Sequence, residues 1–124
     1  MRQLAKYIFE ADGLKIIPAG SLAELQKEAD ALHHCVWTYA RRHAEGKTAI
    51  FFIRRTVEPR VPYYTLELDE KGRTVRQNRG LRNCGKTPEV QAFEELWLSW
   101  VRSGARRDER GRPVLPERKE ARRA

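Results

Sequence analysis

Thr48-Ala49-Ile50-Phe51-Phe52-Ile53, followed by Arg54-Arg55, is the stretch on which the architecture turns. From Thr48 the apolar period changes to two, and Ala49 to Ile53 is β-branched, aromatic and apolar on both faces. Such a segment reads as a strand covered on each side, and so as the central strand of a sheet.

The flanking sequence supplies the covers. Upstream, Ser21 followed by Glu24 fits a capping box, in which each side chain satisfies an orphan N–H of the first helical turn, so a helix begins at Leu22. Leu22, Leu25, Ala29, Leu32, Val36, Tyr39, Ala40 and His43 keep three-and-four spacing, giving one long helix, or two abutting ones, to about Glu45 before Gly46 stops it. Farther upstream, Lys6 to Glu10 and Leu14 to Ile17 read as strands around Ala11-Asp12-Gly13, where Asp-Gly supplies the positive φ of a tight hairpin. Downstream, Pro59 and Pro62 interrupt any ladder, and Tyr63 to Leu68 and Thr74 to Arg79 form a second hairpin around Asp69 to Arg73.

The register of that second hairpin has two solutions. A turn centred on Lys71-Gly72 puts Leu66, Leu68 and Val75 on one face with Gln77; one more loop residue puts Glu67 beside Gln77 instead. After the turn-rich Gly80 to Thr87, Pro88 suits a first helical turn, and Val90, Phe93, Leu96, Trp97, Trp100 and Val101 give the last helix a wide apolar face. The whole is an α+β domain over residues 1–104: an N-terminal hairpin, a long helix, a three-stranded, largely antiparallel sheet and a C-terminal helix. Residues 105–124, without apolar period, read as a basic, flexible tail.

Composition narrows the class. A chain of 124 residues, 40% apolar and 34% charged, fits one domain with one core. No apolar run approaches the ~18–20 residues that cross a bilayer, and Met1 to Glu10 lacks the pattern of a signal peptide. The expectation is a cytoplasmic protein with Cys35 and Cys84 as free thiols and no membrane partner. Of the net charge of +8, Arg102 to Ala124 contributes nine basic against four acidic residues, a net +5, which leaves the folded part at +3. Nucleic acid is the partner such a tail suggests.

Two clusters carry candidate chemistry. Leu32-His33-His34-Cys35-Val36, with Tyr39, places imidazole and thiol groups within an apolar helical face. The plainer reading is a surface histidine and a small buried cysteine. The His33, His34, His43, Cys35 and Cys84 set lacks diagnostic metal-ligand spacing, so no metal or other cofactor is expected. A Cys35–His43 dyad would span two helical turns, about 12 Å, beyond hydrogen-bond reach. The second cluster, Gln77-Asn78-Arg79-Gly80-Leu81-Arg82-Asn83, crowds amide and guanidinium groups at a strand end, where they can grip phosphate or simply cap loops. Arg54, Arg55, Arg106 and Arg107 extend the candidate phosphate-binding set, and Arg54, Arg55 and Arg76 on neighbouring strands give a cationic surface unless each simply faces solvent.

Taken in order, Leu32 to Val36 with Tyr39, Gly46, Ile50 to Arg54, Pro62-Tyr63-Tyr64-Thr65-Leu66-Glu67, Gln77 to Gly80 with Asn83, and Val90 with Phe93 resemble the signature of PcfJ-like proteins of conjugative plasmids and phages. The resemblance covers about Ser21 to Val101. It implies an association with mobile elements and favours one site built from His33, His34, Cys35, Glu67, Gln77, Arg79 and Asn83; it implies no particular reaction. Three readings follow. The first is a nucleic-acid-associated accessory domain. The second is an enzyme on a nucleotide or nucleic acid, with His33 or His34 as acid or base, Cys35 in the same cluster, Glu67 orienting a hydroxyl, and Gln77 and Arg79 on phosphate. The third is a small inhibitor that binds a host or plasmid protein.

Overall fold

The computed structural model describes residues 4–33 and 37–116. Five strands form one antiparallel sheet in chain order: β1 Phe9–Ala11, β2 Leu14–Pro18, β3 Thr48–Arg55, β4 Tyr64–Asp69 and β5 Val75–Arg79. β3 is the central strand, as its sequence requires, with every residue from Thr48 to Ile53 buried. The sheet is wider than the three strands expected, because the N-terminal hairpin does not stand apart: β2 pairs with β3, Leu14 opposite Arg55 and Ile16 opposite Ile53. The first hairpin is also shorter than its sequence suggests. Leu4–Tyr7 forms a 3-10 turn whose backbone groups bond locally and to a helix, the Tyr7 carbonyl accepting from the Trp97 indole N–H at 2.9 Å.

Between β2 and β3 lie α1, Leu22–Leu32, and α2, Trp37–Ala44. At the start of α1, Ser21 Oγ accepts from the Glu24 N–H at 3.1 Å and the Glu24 carboxylate accepts from the Gly20 N–H at 2.8 Å, a capping box displaced by one residue at its return arm. Of the two options read from the sequence, one long helix or two, the chain takes the second. His33 is left-handed, φ 52°, ψ 43°, and ends α1 without help from glycine or proline. Gly46, φ 78°, closes α2, with Gly46 N–H on the His43 carbonyl and Lys47 N–H on that of Arg42, a Schellman arrangement.

α3, Pro88–Arg102, covers the opposite face of the sheet. Strand parity divides the residues. Phe51, Ile53, Leu66 and Leu68 face α3 and enclose the main core with Phe9, Phe93, Trp97 and Trp100; Phe51 meets Trp97 edge-on at 5.1 Å between centroids. Ile50 and Phe52 face the other way and pack with Ala19, Leu25 and Ala29 in a smaller cluster under α1. Where a flexible arm was expected from residue 105, the chain through residue 116 folds back in a tight loop with an Arg107–Pro113 bridge, and the Arg106 carbonyl accepts from the Trp100 indole N–H at 2.9 Å. The physical reason is that both indole N–H groups of α3 are buried and take backbone partners from this loop and from the N-terminal turn.

Candidate functional site

The face of the sheet under α1 and α2 is polar where the α3 face is apolar. Its centre is Glu67 on β4, only 1% exposed. Arg42, from the last turn of α2, donates to both Glu67 oxygens, Nη2 at 2.9 and 3.1 Å and Nε at 3.2 Å. Gln77 on β5 donates from Nε2 to Oε1 at 3.0 Å, and Arg76 Nε lies 4.0 Å from the same oxygen. Glu67 and Gln77, two of the candidate residues, are thus in direct contact, and Arg42 and Arg76 lie against the same carboxylate.

The register explains how Gln77 and Arg76 join Arg42 at one carboxylate. Glu67 pairs with Gln77 and Leu68 with Val75, so Arg76 is an extra residue, a β-bulge. Each register read from the sequence therefore holds in part: Val75 packs against the main core on the face of Leu68, as in the first, and two residues later Gln77 stands beside Glu67, as in the second, not on the face of Leu66 and Leu68. The sequence trace of this device is weak. Val75 and Asn78 both point toward α3 although three residues apart, a parity that a regular strand forbids, but no alternation in Val75 to Arg79 announces it.

Beside this cluster a second buried acid, Glu28 of α1, takes two hydrogen bonds from Arg54, both at 2.7 Å, with Thr65 Oγ1 at 3.5 Å. Burial, the largest influence, pushes the Glu28 carboxyl above its ordinary value, against the opposing pull of Arg54. Arg54 is 11% exposed at its side chain, so this candidate phosphate ligand is an internal counter-ion. On the α3 side a third acid, Glu94, receives Lys86 Nζ at 2.9 and 3.0 Å and Asn78 Nδ2 at 3.1 Å.

The exposed candidates gather at one end of the sheet. Arg55 ends β3, Tyr63 and Tyr64 begin β4, Arg79 ends β5, and Arg82 and Asn83 follow in a 3-10 turn, all at that end, and α1 packs against this turn. Arg55, Arg79, Arg82 and Asn83 are exposed, and Arg55 lies 5.4 Å from the centroid of the Tyr63 ring while pairing with Glu58. Arg82 and Asn83 are both left-handed, φ 53° and 66°. The loop is pinned from below: Tyr64 donates its hydroxyl to the Gly85 carbonyl at 2.9 Å, and a Cβ at Gly80 would stand 2.9 Å from the Tyr64 ring and 3.1 Å from Cys84 Sγ. Burial and then the neighbouring Cys84 push the Tyr64 hydroxyl up to about 12, so it stays a donor.

Other candidates lie elsewhere. Arg106 and Arg107 sit beyond the far end of α3, where Arg107 stacks 5.0 Å from the Trp100 ring centroid and donates to the Gly111 carbonyl at 3.0 Å, so it belongs to the fold-back loop. His33 is exposed at the end of α1. His34 and Cys35 lie outside the described residues, as does the side chain of Tyr39. His43 accepts the Ile50 N–H at Nδ1, 3.0 Å, which places the proton of its neutral ring on Nε2. Two clefts, of about 730 and 380 Å³, are lined by residues such as Leu4, Pro18, His43 and Gly46, and by Tyr7, Ala49 and Gly72; neither is lined by Glu67, Gln77 or Arg79. Among the described residues no group of three or more His, Cys, Asp or Glu side chains is placed to hold a metal ion, and no helix is long and apolar enough to cross a membrane.

The model of the PcfJ-like protein family matches residues 1–93. The uncharacterized protein Lin1253/Lin1744 of Listeria innocua serovar 6a is 36% identical over 94 residues, covering 74% of this chain and 20% of that relative. The chain spans about a fifth of the length of that curated relative. No solved structure matches the chain. The chain belongs to the PcfJ-like protein family.

Proposed function

We propose that this member of the PcfJ-like family is a nucleic-acid-associated accessory domain of a mobile genetic element, in plasmid transfer or phage. The observation that carries the reading is the gathering of exposed Arg55, Arg79, Arg82 and Asn83 at one end of the sheet, the last two on a loop pinned by Tyr64 against Gly80 and Gly85. Guanidinium groups on a fixed backbone grip phosphate with little ordering cost, and the side-chain amide of Asn83 can meet a base edge. Such binding releases counterions, so affinity falls steeply with salt. The Arg79→Ala/Arg82→Ala double variant should flatten the slope of log affinity against log salt by about 1.5–2, and removal of residues 117–124, with Arg118, Lys119, Arg122 and Arg123, should flatten it further. Binding that ignores salt, or none to any DNA or RNA, would end the proposal.

The enzyme reading draws support from one thing, the juxtaposition of Glu67 and Gln77. Against it, both Glu67 oxygens already accept from Arg42, and a carboxylate held this way is better suited to aiming guanidinium groups than to taking a proton. Turnover of a nucleotide or nucleic acid that disappears in both His34→Ala and Glu67→Ala, with binding intact, would revive it.

A further inference from the structure

β5 is the last strand of the sheet, and its outer edge meets no other strand among the described residues. An open edge usually invites a strand from another chain, but the bulge at Arg76 interrupts the run of backbone groups such a strand would need. The bulge has a second effect. It swings Arg76 to the side of Glu67 and Gln77, the side on which parity also places Arg79, and the Arg82 turn continues from there. Arg76 is 49% exposed at its side chain, and Arg79 and Arg82 are exposed. Arg76 and Arg79 are three residues apart, about 10 Å at the usual strand rise.

We infer that the bulge makes the outer edge of β5 a phosphate track, on which Arg76, Arg79 and Arg82 meet phosphodiester groups along one nucleic-acid strand and Glu67 acts as a positioning residue for the Arg76 end. The inference rests on the nucleic-acid reading above and extends it to a residue outside the loop. The sheet itself has no need of Arg76. Without it, Val75 opposite Leu68 and Gln77 opposite Glu67 become consecutive pairs of a regular ladder. Glu67, buried and bound to Arg42, fixes the place toward which Arg76 leans while leaving much of the Arg76 side chain in solvent.

The test uses the full chain and an oligonucleotide whose affinity is measured across salt. Deleting Arg76 should leave thermal unfolding at or above the parent temperature while weakening binding about tenfold and lowering the salt slope by about 0.9. Unchanged affinity in a folded deletion variant overturns the track; should the deletion not fold, Arg76→Ala carries the same expectation. Glu67→Gln separates positioning from charge. Loss of a nearby negative charge alone would strengthen anion binding, whereas loss of aim weakens it, and a gain in affinity in Glu67→Gln overturns the positioning role. Inorganic phosphate is titrated separately, following the Arg Nε–H signals. Arg76 and Arg79 shifting together shows that this edge takes phosphate; if no oligonucleotide binds, the phosphate site stands while its nucleic-acid occupant is overturned together with the nucleic-acid reading. Oligonucleotide binding with neither signal moved overturns the track and leaves that reading standing.

Discussion

The two faces of the sheet are built from alternate residues of the same strands and do opposite things. Under α3, Phe51, Ile53, Leu66 and Leu68 meet Phe93, Trp97 and Trp100 in a continuous apolar core. Under α1 and α2, Arg54, Thr65, Glu67 and Gln77 meet Glu28 and Arg42, and Ile50 and Phe52, with Ile17, anchor a smaller apolar patch. Burial of apolar area drives folding, while a buried ion pair is close to neutral against apolar residues of the same shape. The difference teaches that the α3 face holds the molecule together and the other face fixes the direction of charges.

That division can be broken by experiment. Trp97→Ala, at the centre of the α3 core, should lower unfolding free energy by about 3–5 kcal/mol in urea titration; a loss under 1 kcal/mol would deny that face its role. Glu28→Ala leaves Arg54 enclosed without its counter-ion and should cost about 3 kcal/mol, whereas the Glu28→Leu/Arg54→Met double replacement should come close to parental stability. If the double variant is as damaged as the single one, the polar face stabilises after all. Gly80→Ala, where the new methyl would strike the Tyr64 ring and Cys84, should cost about 1–3 kcal/mol and shift the Tyr64 and Gly85 resonances. Ser21→Ala removes the acceptor at the head of α1 and should cost about 1 kcal/mol.

Acidity offers a finer discrimination. Because the fold raises the Glu28 carboxyl above 4.5, its titration contributes stability that is complete below the ordinary carboxylate range and is lost as pH rises through the raised value. Glu28→Gln cannot titrate and still offers Arg54 an acceptor. Its unfolding free energy, set against the parent, should therefore move in favour of the variant as pH rises through that window, and a constant difference would place the charged pair in balance.

What the sequence discloses depends on how local the cause is. β3 is legible because its own five apolar residues require cover on both sides, and α3 because Pro88 and a wide apolar stripe act within one helix. The joining of β2 to β3 is not, since it is a choice between partners far apart in the chain. The break at His33 carries no glycine or proline signal, because a histidine takes the left-handed position there. Glu67 and Gln77 were readable as site candidates by residue type, and Arg76 as part of a cationic surface with Arg54 and Arg55; Arg42 was not, since it owes its place to the path of α2 after the break, nor was the extra residue in β5 that brings Arg76 to Glu67. Arg54 and Arg107 look like ligands in sequence because an arginine's partner, Glu28 in one case and backbone carbonyls in the other, is settled only by tertiary packing.

Arg107 has one more effect. Its guanidinium donates to the carbonyls of Ile8 and Lys6, 99 and 101 residues earlier, so the entry and exit of the described unit lie side by side. A module with adjoining gates can be spliced into a longer polypeptide, or permuted by a short tether between them, with little disturbance to its interior.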